Sequence, residues 1–228
     1  FVRKGLNGVR PVLDARRANQ LTIPTRWPLP SLPALLGKVS KQISESGGQV
    51  FFSVSDIASA FNQVRLVEND QKKIAFSWGN AQYQAQRMLF RCANSPAVFS
   101  EIVYRLFEDI EEVQVLIDDL LIVTASFKRH VEVLSEVLMR LRQIGATLKT
   151  EKTSIGVTEF QYLGFHINGS GITPIKSKIQ GLRDFPVPRS RKQLRRFLGL
   201  LNFYLPHLKN AQWMLAPLHR LTGVKRGP

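Results

Sequence analysis

The 228-residue sequence predicts an α+β fold whose C-terminal quarter is helical and strongly basic. Three features lead to this prediction. Short apolar runs of strand length end at aspartates, amphipathic segments of helical length carry capping signals, and the formal net charge of +15 is concentrated towards the C-terminus. A hydrophobic content of 44% in a chain of this length is enough to build a sizeable core.

The N-terminal part predicts a hairpin, an extended connector and a strand. Residues 1–13 have the pattern of a hairpin with its turn at residues 5–8, which begin and end with glycine. Residues 23–30 are rich in proline and are expected to lie extended along the surface. Residues 51–56 are a short apolar strand that ends at Asp56.

Two helices are predicted in the middle of the chain. Ser95 and Pro96 are typical of the N-cap and the first position of a helix. A second helix is expected from about Phe127 to Ile144, with Gly145 as its C-terminal cap.

After these helices the pattern changes to a strand and then to basic helices. Residues 159–167 predict one strand, and past Gly171 the chain is expected to be helical. Ser190 and Gln193 have the spacing of a capping box that opens a helix reaching to about Leu205. Its apolar face is predicted to be Leu194, Phe197, Leu198 and Leu201, and its basic face Arg191, Lys192, Arg195 and Arg196.

The charge of the C-terminal quarter indicates a polyanionic partner. Between residues 171 and 228, twelve Lys or Arg residues stand against one acid, Asp184. Nucleic acid is the usual partner of such a field, and an anionic membrane surface is the competitor. The basic helices carry ordinary core-facing apolar stripes, and no apolar stretch reaches the roughly 18–20 residues needed to span a bilayer. Nucleic acid is therefore favoured, and no membrane partner is expected.

Cysteine and histidine content excludes several kinds of site. The single cysteine, Cys92, excludes an internal disulfide and a multi-cysteine zinc site. The four histidines lack metal-ligand spacing and are expected to be surface or core residues.

The segment 113–123 would be one unbroken apolar strand without two adjacent aspartates, Asp118 and Asp119. Burying two unpaired carboxylates side by side costs more than such a strand can recover. A hairpin with both aspartates at its tight turn is therefore predicted. The turn can be solvated, or its carboxylates can hold a divalent metal ion such as magnesium.

Asp56, at the end of its strand, is a candidate for the same site. A lone aspartate after a strand is usually a helix N-cap. Beside the acidic hairpin, however, it would supply the third carboxylate of a two-metal site, in which cations about 3.5–4 Å apart clamp the oxygens of a phosphoryl displacement.

The order of the motifs resembles a known family. In chain order they are Arg10-Pro-Val-Leu-Asp-Ala-Arg-Arg-Ala-Asn19, Trp27-Pro-Leu-Pro30, Phe52-Ser-Val-Ser-Asp56, Asn94-Ser-Pro-Ala-Val-Phe99, Leu116-Ile-Asp-Asp-Leu120, Phe160-Gln-Tyr-Leu-Gly164 and Lys192-Gln-Leu-Arg-Arg-Phe-Leu-Gly199. Together they resemble the reverse transcriptase of retroviruses, in particular that of gypsy-type LTR retrotransposons. The resemblance covers essentially the whole chain.

The resemblance implies a right-hand polymerase fold with fingers, a palm built on an antiparallel sheet, and a helical thumb. Residues 1–170 would be partial fingers and palm, and residues 171–228 the basic thumb and the start of the connection region. The family's first fingers segment is not matched, so the fold is expected to be N-terminally incomplete. Because the chain starts at Phe1 without an initiator methionine, we expect it to be a piece of a Pol polyprotein whose ribonuclease H and integrase lie elsewhere.

The resemblance also implies an activity and its cofactors. Asp56 and Asp118 would be the main ligands of two Mg²⁺ ions, with Mn²⁺ a possible substitute, and Asp119 would support them. The chain would then be an RNA-directed DNA polymerase that extends a primer on an RNA or DNA template with deoxynucleoside triphosphates. Lys152 matches a lysine proposed to protonate the leaving pyrophosphate, and Lys149 is the local competitor for that role.

Further site residues are carried over from the same family. Phe61, next to Ala60, would be the steric gate that selects deoxynucleotides, although an ordinary core phenylalanine is the alternative. Arg10, with Arg3 or Lys4, would contact the triphosphate, although exposed hairpin cations are usually only solvated. The expected primer and template contacts are Tyr162, Leu163 and Gly164 of the primer grip and Arg191, Lys192, Arg195 and Arg196 of the basic helix.

Three positions depart from the family pattern. Leu89 stands where proline is usual, Arg91 where glycine is usual, and Leu116 where a tyrosine usually precedes the aspartate pair. Arg91 could obstruct the site or add a phosphate contact. The three carboxylates are intact, but these departures keep a second hypothesis open, a non-catalytic polymerase fold that binds nucleic acid. A two-metal nuclease is a third hypothesis, which leaves the fingers arginine, steric gate and thumb unexplained.

Overall fold

The computed structural model describes residues 2–4, 8–10, 12–202, 204–205 and 211–223, with the backbone alone at residues 2–4, 8–10 and 211–212. Its strands are β1 (Val2–Lys4), β2 (Gly8–Arg10), β3 (Phe51–Asp56), β4 (Ala75–Trp78), β5 (Ala81–Gln84), β6 (Val113–Leu116), β7 (Asp119–Thr124), β8 (Ser154–Val157), β9 (Glu159–Tyr162), β10 (Phe165–Asn168) and β11 (Gly171–Pro174). Its helices are α1 (Arg16–Leu21), α2 (Leu32–Glu45), α3 (Ala60–Gln63), α4 (Glu68–Gln71), α5 (Ser95–Phe107), α6 (Phe127–Gln143), α7 (Lys176–Arg183), α8 (Arg191–Asn202) and α9 (Ala211–Leu221). The predicted α+β class is confirmed.

A four-stranded antiparallel sheet with the order β6-β7-β3-β8 forms the centre of the molecule. Strand β7 is apolar from Leu120 to Val123, and this stretch is covered on both faces. Leu120 and Ile122 point into one core cluster, and Leu121 and Val123 point into another. A strand buried on both sides reads as a continuous apolar run rather than an alternating one.

Each face of the sheet is covered by different elements. Helices α5 and α6 cover the first face, mainly with Phe99, Val103, Val133 and Val137. Helix α2 and the β9–β10 hairpin cover the second face, mainly with Leu35, Val39, Ile43, Phe165 and Ile167. The two cores fix the sheet between these layers and so position the ends of its strands.

Two of the helices that pack on the sheet, α2 and α6, begin at side-chain caps. Ser31 accepts a hydrogen bond from the backbone of Ala34 at the start of α2, and Ser126 accepts one from Arg129 at the start of α6. Helix α6 ends where predicted, since Gly145 takes the left-handed conformation (φ 67°) that follows many helices.

The described residues also form three smaller sheets. Strands β9, β10 and β11 form an antiparallel sheet, and β1–β2 and β4–β5 form separate antiparallel hairpins. The predicted N-terminal hairpin is therefore confirmed for its two strands, while its turn at residues 5–7 lies outside the described residues. Residues 23–30 have no regular secondary structure, as expected for the connector.

The turn between β10 and β11 lies close against the loop that follows α2. A Cβ added to Gly169 would lie 2.0 Å from the carbonyl oxygen of Gly48. This backbone contact ties the β9–β11 sheet to the loop that leads into β3.

Several boundaries differ from the sequence prediction. The expected strand at residues 159–167 is two strands, β9 and β10, because Leu163 and Gly164 form a tight turn between them. The chain is not yet helical past Gly171, since residues 171–174 pair with β10 and α7 begins at Lys176. Ser95 is the first residue of α5 rather than its N-cap, and its hydroxyl instead donates to the carbonyl of Leu89 at 2.8 Å.

The basic C-terminal helix is shorter than predicted, but its two faces are as expected. Helix α8 ends at Asn202 rather than near Leu205. The hydroxyl of Ser190 accepts from the backbone of Gln193 at 3.2 Å, while the Gln193 side chain accepts from the backbone of Arg189. The predicted apolar residues are buried or half-buried, and the predicted basic ones are exposed. None of the helices that the structure describes is long and apolar enough to cross a membrane.

Candidate active site

The backbone brings the three predicted carboxylate residues to one end of the central sheet. In the antiparallel pair of β3 and β7, Asp56 is directly opposite Asp119. The β6–β7 hairpin closes with Leu116 opposite Asp119, so its two-residue turn consists of Ile117 and Asp118. The prediction that both aspartates lie in the turn is thus wrong for Asp119, which is the first residue of β7. Asp56 is not a helix N-cap either, since Ser59 has that position for α3.

Backbone hydrogen bonds fix these residues relative to one another. The N–H of Ile57, just after β3, donates to the carbonyl of Asp118 at 2.8 Å. The N–H of Lys149 donates to the carbonyl of Asp56 at 2.9 Å. The hairpin turn, the end of β3 and the segment after α6 therefore meet at a single point.

Two lysines bind the carboxylate of Asp56. The ammonium of Lys149 contacts Oδ1, and that of Lys152 donates to Oδ2 at 2.9 Å. Burial alone would raise the pKa of Asp56, but the hydrogen bonds from the two lysines outweigh it and hold the pKa below its usual value. The same contact raises the pKa of Lys152.

Asp119 is in the opposite electrostatic situation. Burial, followed by the negative charges of Asp118 and Asp56, raises the pKa of its carboxyl group. Tyr162 is buried, and burial together with the charge of Asp119 raises the pKa of its hydroxyl. Negative charge at this strand end is therefore only partly compensated.

The donor set fits a hard divalent cation in its chemistry. Three carboxylates lie on adjacent strand ends, and oxygen donors of this kind are those that magnesium prefers. Among the described residues, however, no group of three or more His, Cys, Asp or Glu side chains is arranged to hold a metal ion. Both oxygens of Asp56 are instead occupied by ammonium groups.

Phe61 lies close to this strand end, in the short helix α3 that follows β3. Its ring packs edge-on against Phe90 and Phe99, with ring centroids 5.1 and 5.6 Å apart. The ring is half-buried and contacts the first core cluster, while Ala60 is fully buried. The core interpretation of Phe61 and the steric-gate interpretation are thus compatible, since a ring fixed by core contacts is a rigid wall.

The predicted primer-grip residues form the turn of the β9–β10 hairpin. Leu163 and Gly164 are its two central residues, both with positive φ (46° and 93°), and Tyr162 pairs with Phe165 across it. Leu163 is exposed at the tip, and the carbonyl of Gly164 accepts from the N–H of Ile175 at 3.0 Å.

The predicted thumb residues form a basic surface on α8. Arg191, Lys192, Arg195 and Arg196 are all exposed. Arg195 has a structural contact as well, because its guanidinium donates to the carbonyl of Thr222 after α9 at 2.8 Å. The side chains of Arg3, Lys4 and Arg10 lie outside the described residues, although the backbones of all three are in the β1–β2 hairpin.

Sequence reasoning did not detect the backbone strain around this site. Among the described residues, the non-glycine residues with positive φ are Ser59, Arg91, Ile117 and Leu163. Each lies in or beside a predicted functional motif: after Asp56, in the loop before α5, in the turn with Asp118, and in the primer grip. Strained backbone of this kind tends to cluster at functional sites. No local pattern of residue types announces it, because none of the four is a glycine or an asparagine.

The structure shows the environments of two residues that depart from the family pattern, Arg91 and Leu116. Arg91 has φ 70°, a conformation that glycine adopts freely. The side chain of Asn19 holds this loop at both ends, donating to the carbonyl of Arg91 at 2.8 Å and accepting from Ala93 at 2.9 Å. Arg91 is exposed and, with Asp14 and Asn19, lines an open cleft of about 510 Å³. Leu116 packs against the second core cluster.

Residues 2–167 match the family described as reverse transcriptase (RNA-dependent DNA polymerase). The chain belongs to the reverse transcriptase family. This reverse transcriptase sequence is 31% identical over 215 residues to the retrovirus-related Pol polyprotein from transposon opus of Drosophila melanogaster, covering 93% of the chain and 21% of the relative. It is 29% identical over 215 residues to the Pol polyprotein from transposon gypsy of the same organism, covering 92% and 20%. The predicted gypsy-type resemblance is confirmed, and the chain spans about a fifth of the length of these curated relatives.

The fold agrees with that of a solved reverse transcriptase. The foamy viral protease-reverse transcriptase in complex with double-stranded DNA superposes with a TM-score of 0.85 and 26% identity, over 99% of this chain and 39% of that chain. The predicted right-hand polymerase fold is thereby confirmed.

Proposed function

We propose that this chain is the fingers, palm and thumb part of an RNA-directed DNA polymerase that extends a primer with deoxynucleotides. The observation that carries the proposal is the strand register that sets Asp56 opposite Asp119, with Asp118 in the adjoining turn. In a family of RNA-dependent DNA polymerases, three carboxylates at one strand end are the expected centre of phosphoryl transfer.

Asp56 and Asp118 would be the main ligands of two Mg²⁺ ions, with Asp119 supporting them and Mn²⁺ as a substitute. The ions would supply the positive charge that activates the primer 3′-hydroxyl and balances the charge of the phosphates. The chain's own contribution is positioning, since the hydrogen bonds of Ile57 and Lys149 hold the strand ends in place.

Lys152 would donate the proton to the leaving pyrophosphate. Its side chain is 60% exposed, so it can reach a substrate, and its raised pKa keeps it protonated beside Asp56. Lys149 is less exposed and is held against Asp56 by its backbone as well as its side chain, which makes it the weaker candidate for this role.

The remaining residues would bind the substrates. Phe61, supported by Phe90 and Phe99 and preceded by Ala60, would exclude a ribose 2′-hydroxyl. Arg3, Lys4 and Arg10 of the β1–β2 hairpin would contact the triphosphate, for which guanidinium geometry is suited. The primer would lie on Tyr162, Leu163 and Gly164, and the backbone of an RNA or DNA template duplex on Arg191, Lys192, Arg195 and Arg196.

The domain division proposed from the sequence, at residues 170 and 171, cuts the β10–β11 pair. A thumb that starts with α7 is the version we now propose, with fingers and palm before it. Ribonuclease H and integrase activities would belong to other parts of a parent polyprotein.

The test is Mg²⁺-dependent extension of a DNA primer on an RNA template, comparing the parent chain with Asp118→Asn. We expect extension by the parent and a loss of at least about 100-fold in the variant, because removal of a metal-binding carboxylate removes charge stabilisation in the transition state. Asp70→Asn is the matched control, since Asp70 is a surface residue paired with Lys73. Equal extension by parent and Asp118→Asn would contradict the proposal.

The second candidate, a polymerase fold that only binds nucleic acid, is favoured by two observations. Both oxygens of Asp56 are occupied by lysines, and Arg91 stands in a glycine conformation. Salt-sensitive duplex binding without extension by the parent would support this candidate and overturn the first.

A further inference from the structure

Lys149 is held beside Asp56 by two independent contacts. Its backbone N–H donates to the Asp56 carbonyl at 2.9 Å, and its ammonium binds Oδ1 of the same residue. The preceding residue, Leu148, forms an antiparallel bridge with Ile57. The backbone contacts therefore fix the Cα of Lys149 next to Asp56, and the ammonium contacts the Asp56 carboxylate directly.

Lys152, the other cation on Asp56, is held less firmly. Its side chain is 60% exposed, compared with 30% for Lys149. Lys152 is the last residue of a short 3-10 turn, whereas Lys149 directly follows the bridge residue Leu148. A less exposed ion pair is less screened by solvent, so Lys149 is the stronger of the two partners.

The position of the Lys149 ammonium is one where positive charge is needed. Asp56, Asp118 and Asp119 lie at adjoining strand ends, and the negative charges of the first two act on Asp119. Among the described residues, no group of three or more such side chains is arranged to hold a metal ion. The ammonium occupies an oxygen of Asp56 that a metal ion would also require.

We propose that Lys149 is a resident counter-ion of the carboxylate site, which stabilises the metal-free chain and must leave Asp56 Oδ1 when a divalent ion binds. This inference rests on the proposed function, because it assigns Asp56 to the metal site. Lys149 is a positioning residue in this scheme: it keeps the strand ends together without metal, and it lowers the affinity for metal until substrate phosphates add further ligands.

The first test measures Mn²⁺ binding to the whole chain without nucleotide, by electron paramagnetic resonance of the free ion. We expect Lys149→Gln to bind Mn²⁺ on the order of five- to tenfold more tightly than the parent, because the ion no longer competes with the ammonium. Lys149→Arg, which retains the charge, should bind within about twofold of the parent, and Lys152→Gln should show the smaller gain of a more exposed pair. The metal-free melting temperature of Lys149→Gln should fall, and saturating Mn²⁺ should restore it.

The outcomes separate the two ideas. Equal or weaker Mn²⁺ binding by Lys149→Gln, with tight binding by the parent, overturns the role of Lys149 and leaves the metal site standing. If neither the parent nor Lys149→Gln binds Mn²⁺, the ammonium has no metal ion to compete with and this inference falls, while primer extension remains the separate test of the proposed function.

A second test needs no substitution and therefore does not depend on the folding of a variant. The parent chain is acetylated briefly with an N-hydroxysuccinimide ester, with and without saturating Mg²⁺, and the modification of each lysine is quantified by mass spectrometry. Displacement of the ammonium from Asp56 should raise the labelling rate of Lys149 at least about threefold, because release from the ion pair opens to the reagent a side chain that is only 30% exposed. Lys41, which pairs with Glu45 on the surface of α2, should be unchanged. An unchanged rate at Lys149 would overturn the inference.

Discussion

Arg91 shows how one residue can bear a conformation that its neighbours impose. Asn19 binds the loop at Arg91 and again two residues later, donating to the carbonyl of Arg91 and accepting from the N–H of Ala93, and these bonds hold the loop in which Arg91 has φ 70°. A left-handed conformation costs a side-chain-bearing residue about 1–2 kcal/mol. The glycine that is usual at this position in the family has no such cost. Its presence there can therefore be explained by the backbone conformation alone, without reference to the substrate.

The strain at Arg91 predicts that Arg91→Gly stabilises the chain. We expect the free energy of unfolding to rise by about 1 kcal/mol, because glycine adopts φ 70° without a Cβ penalty and the Asn19 contacts are to backbone atoms. Urea denaturation measures the change. Arg91→Lys is the matched control and should gain nothing, so an equal gain in both variants would mean that the guanidinium, not the backbone, is responsible.

At the scale of elements, His130 connects α6 to the central sheet. Its ring is buried between two hydroxyl groups, with Nε2 2.6 Å from Ser53 Oγ on β3 and Nδ1 2.8 Å from Thr124 Oγ1 on β7. Ser53 also accepts from the backbone of Gly156, and Thr124 can donate to the carbonyl of Ser126. A neutral ring with its proton on Nδ1 satisfies all four contacts.

Burial lowers the pKa of His130, and this sets a pH dependence of stability. The unfolded chain titrates near 6.5 and binds the proton more readily than the folded chain does. The stabilising contribution of the neutral, buried His130 to the free energy of unfolding should therefore be complete well above pH 6.5, and it should be lost progressively as the pH drops below about 6.5. Urea denaturation at several pH values should show this for the parent. His130→Gln should be less stable at pH 7.5 but have a flatter profile, and two parallel profiles would contradict the assignment.

The contact between Gly48 and Gly169 is a second connection between elements. A Cβ at residue 169 would lie 2.0 Å from a backbone oxygen, which cannot move as a side-chain end can. The β9–β11 sheet, which carries the primer-grip turn, must therefore shift if residue 169 acquires a side chain.

We expect Gly169→Ala to destabilise the chain by about 1–3 kcal/mol, as overpacking does elsewhere, and to weaken primer extension. Denaturation and primer extension are measured together. The control is Gly181→Ala on exposed α7, where an added Cβ meets nothing within 4 Å and should be neutral or stabilising. Unchanged stability of Gly169→Ala would show that the loop after α2 can move away from the added Cβ at little energetic cost.

For the whole molecule, the uneven charge distribution is the dominant property. The formal charge of +15 and the exposed cations of α8 should make duplex binding fall steeply with salt. The connection of Arg195 to Thr222 means that these cations have unequal roles.

The clearest single substitution is therefore Arg196→Ala, for which the structure gives no intramolecular partner among the described residues. It should weaken duplex binding and reduce the slope of log K against log salt by about 0.9, the contribution of one phosphate contact. Fluorescence anisotropy over a salt series measures both. Lys41→Ala on α2 is the control. If Lys41→Ala changes the slope as much as Arg196→Ala does, duplex binding depends on the net charge of the chain and not on the α8 surface.

Residue types in sequence were sufficient to predict β3 ending at Asp56, a hairpin of apolar strands on either side of Asp118, and the two faces of α8. They were not sufficient where a single backbone torsion decides the structure. Leu163 does not signal the left-handed turn that divides β9 from β10, and Asp119 does not signal whether it belongs to the turn or the strand. Long-range contacts, such as Lys149 with Asp56 across 93 positions, depend on the assembled fold.

The two-sided burial of β7 has a consequence for the chain before it folds. Residues 120–123, Leu-Leu-Ile-Val, contain no charge, proline or glycine, and a segment of this composition pairs readily with copies of itself when exposed. Asp118 and Asp119 border it directly, as charged residues border aggregation-prone segments in many proteins. The carboxylates that would hold metal in the folded chain are therefore expected to oppose self-association of the nascent strand as well. The amount of monomeric Asp118→Asn should accordingly be measured alongside its activity, so that a loss of folded chain is not mistaken for a loss of chemistry.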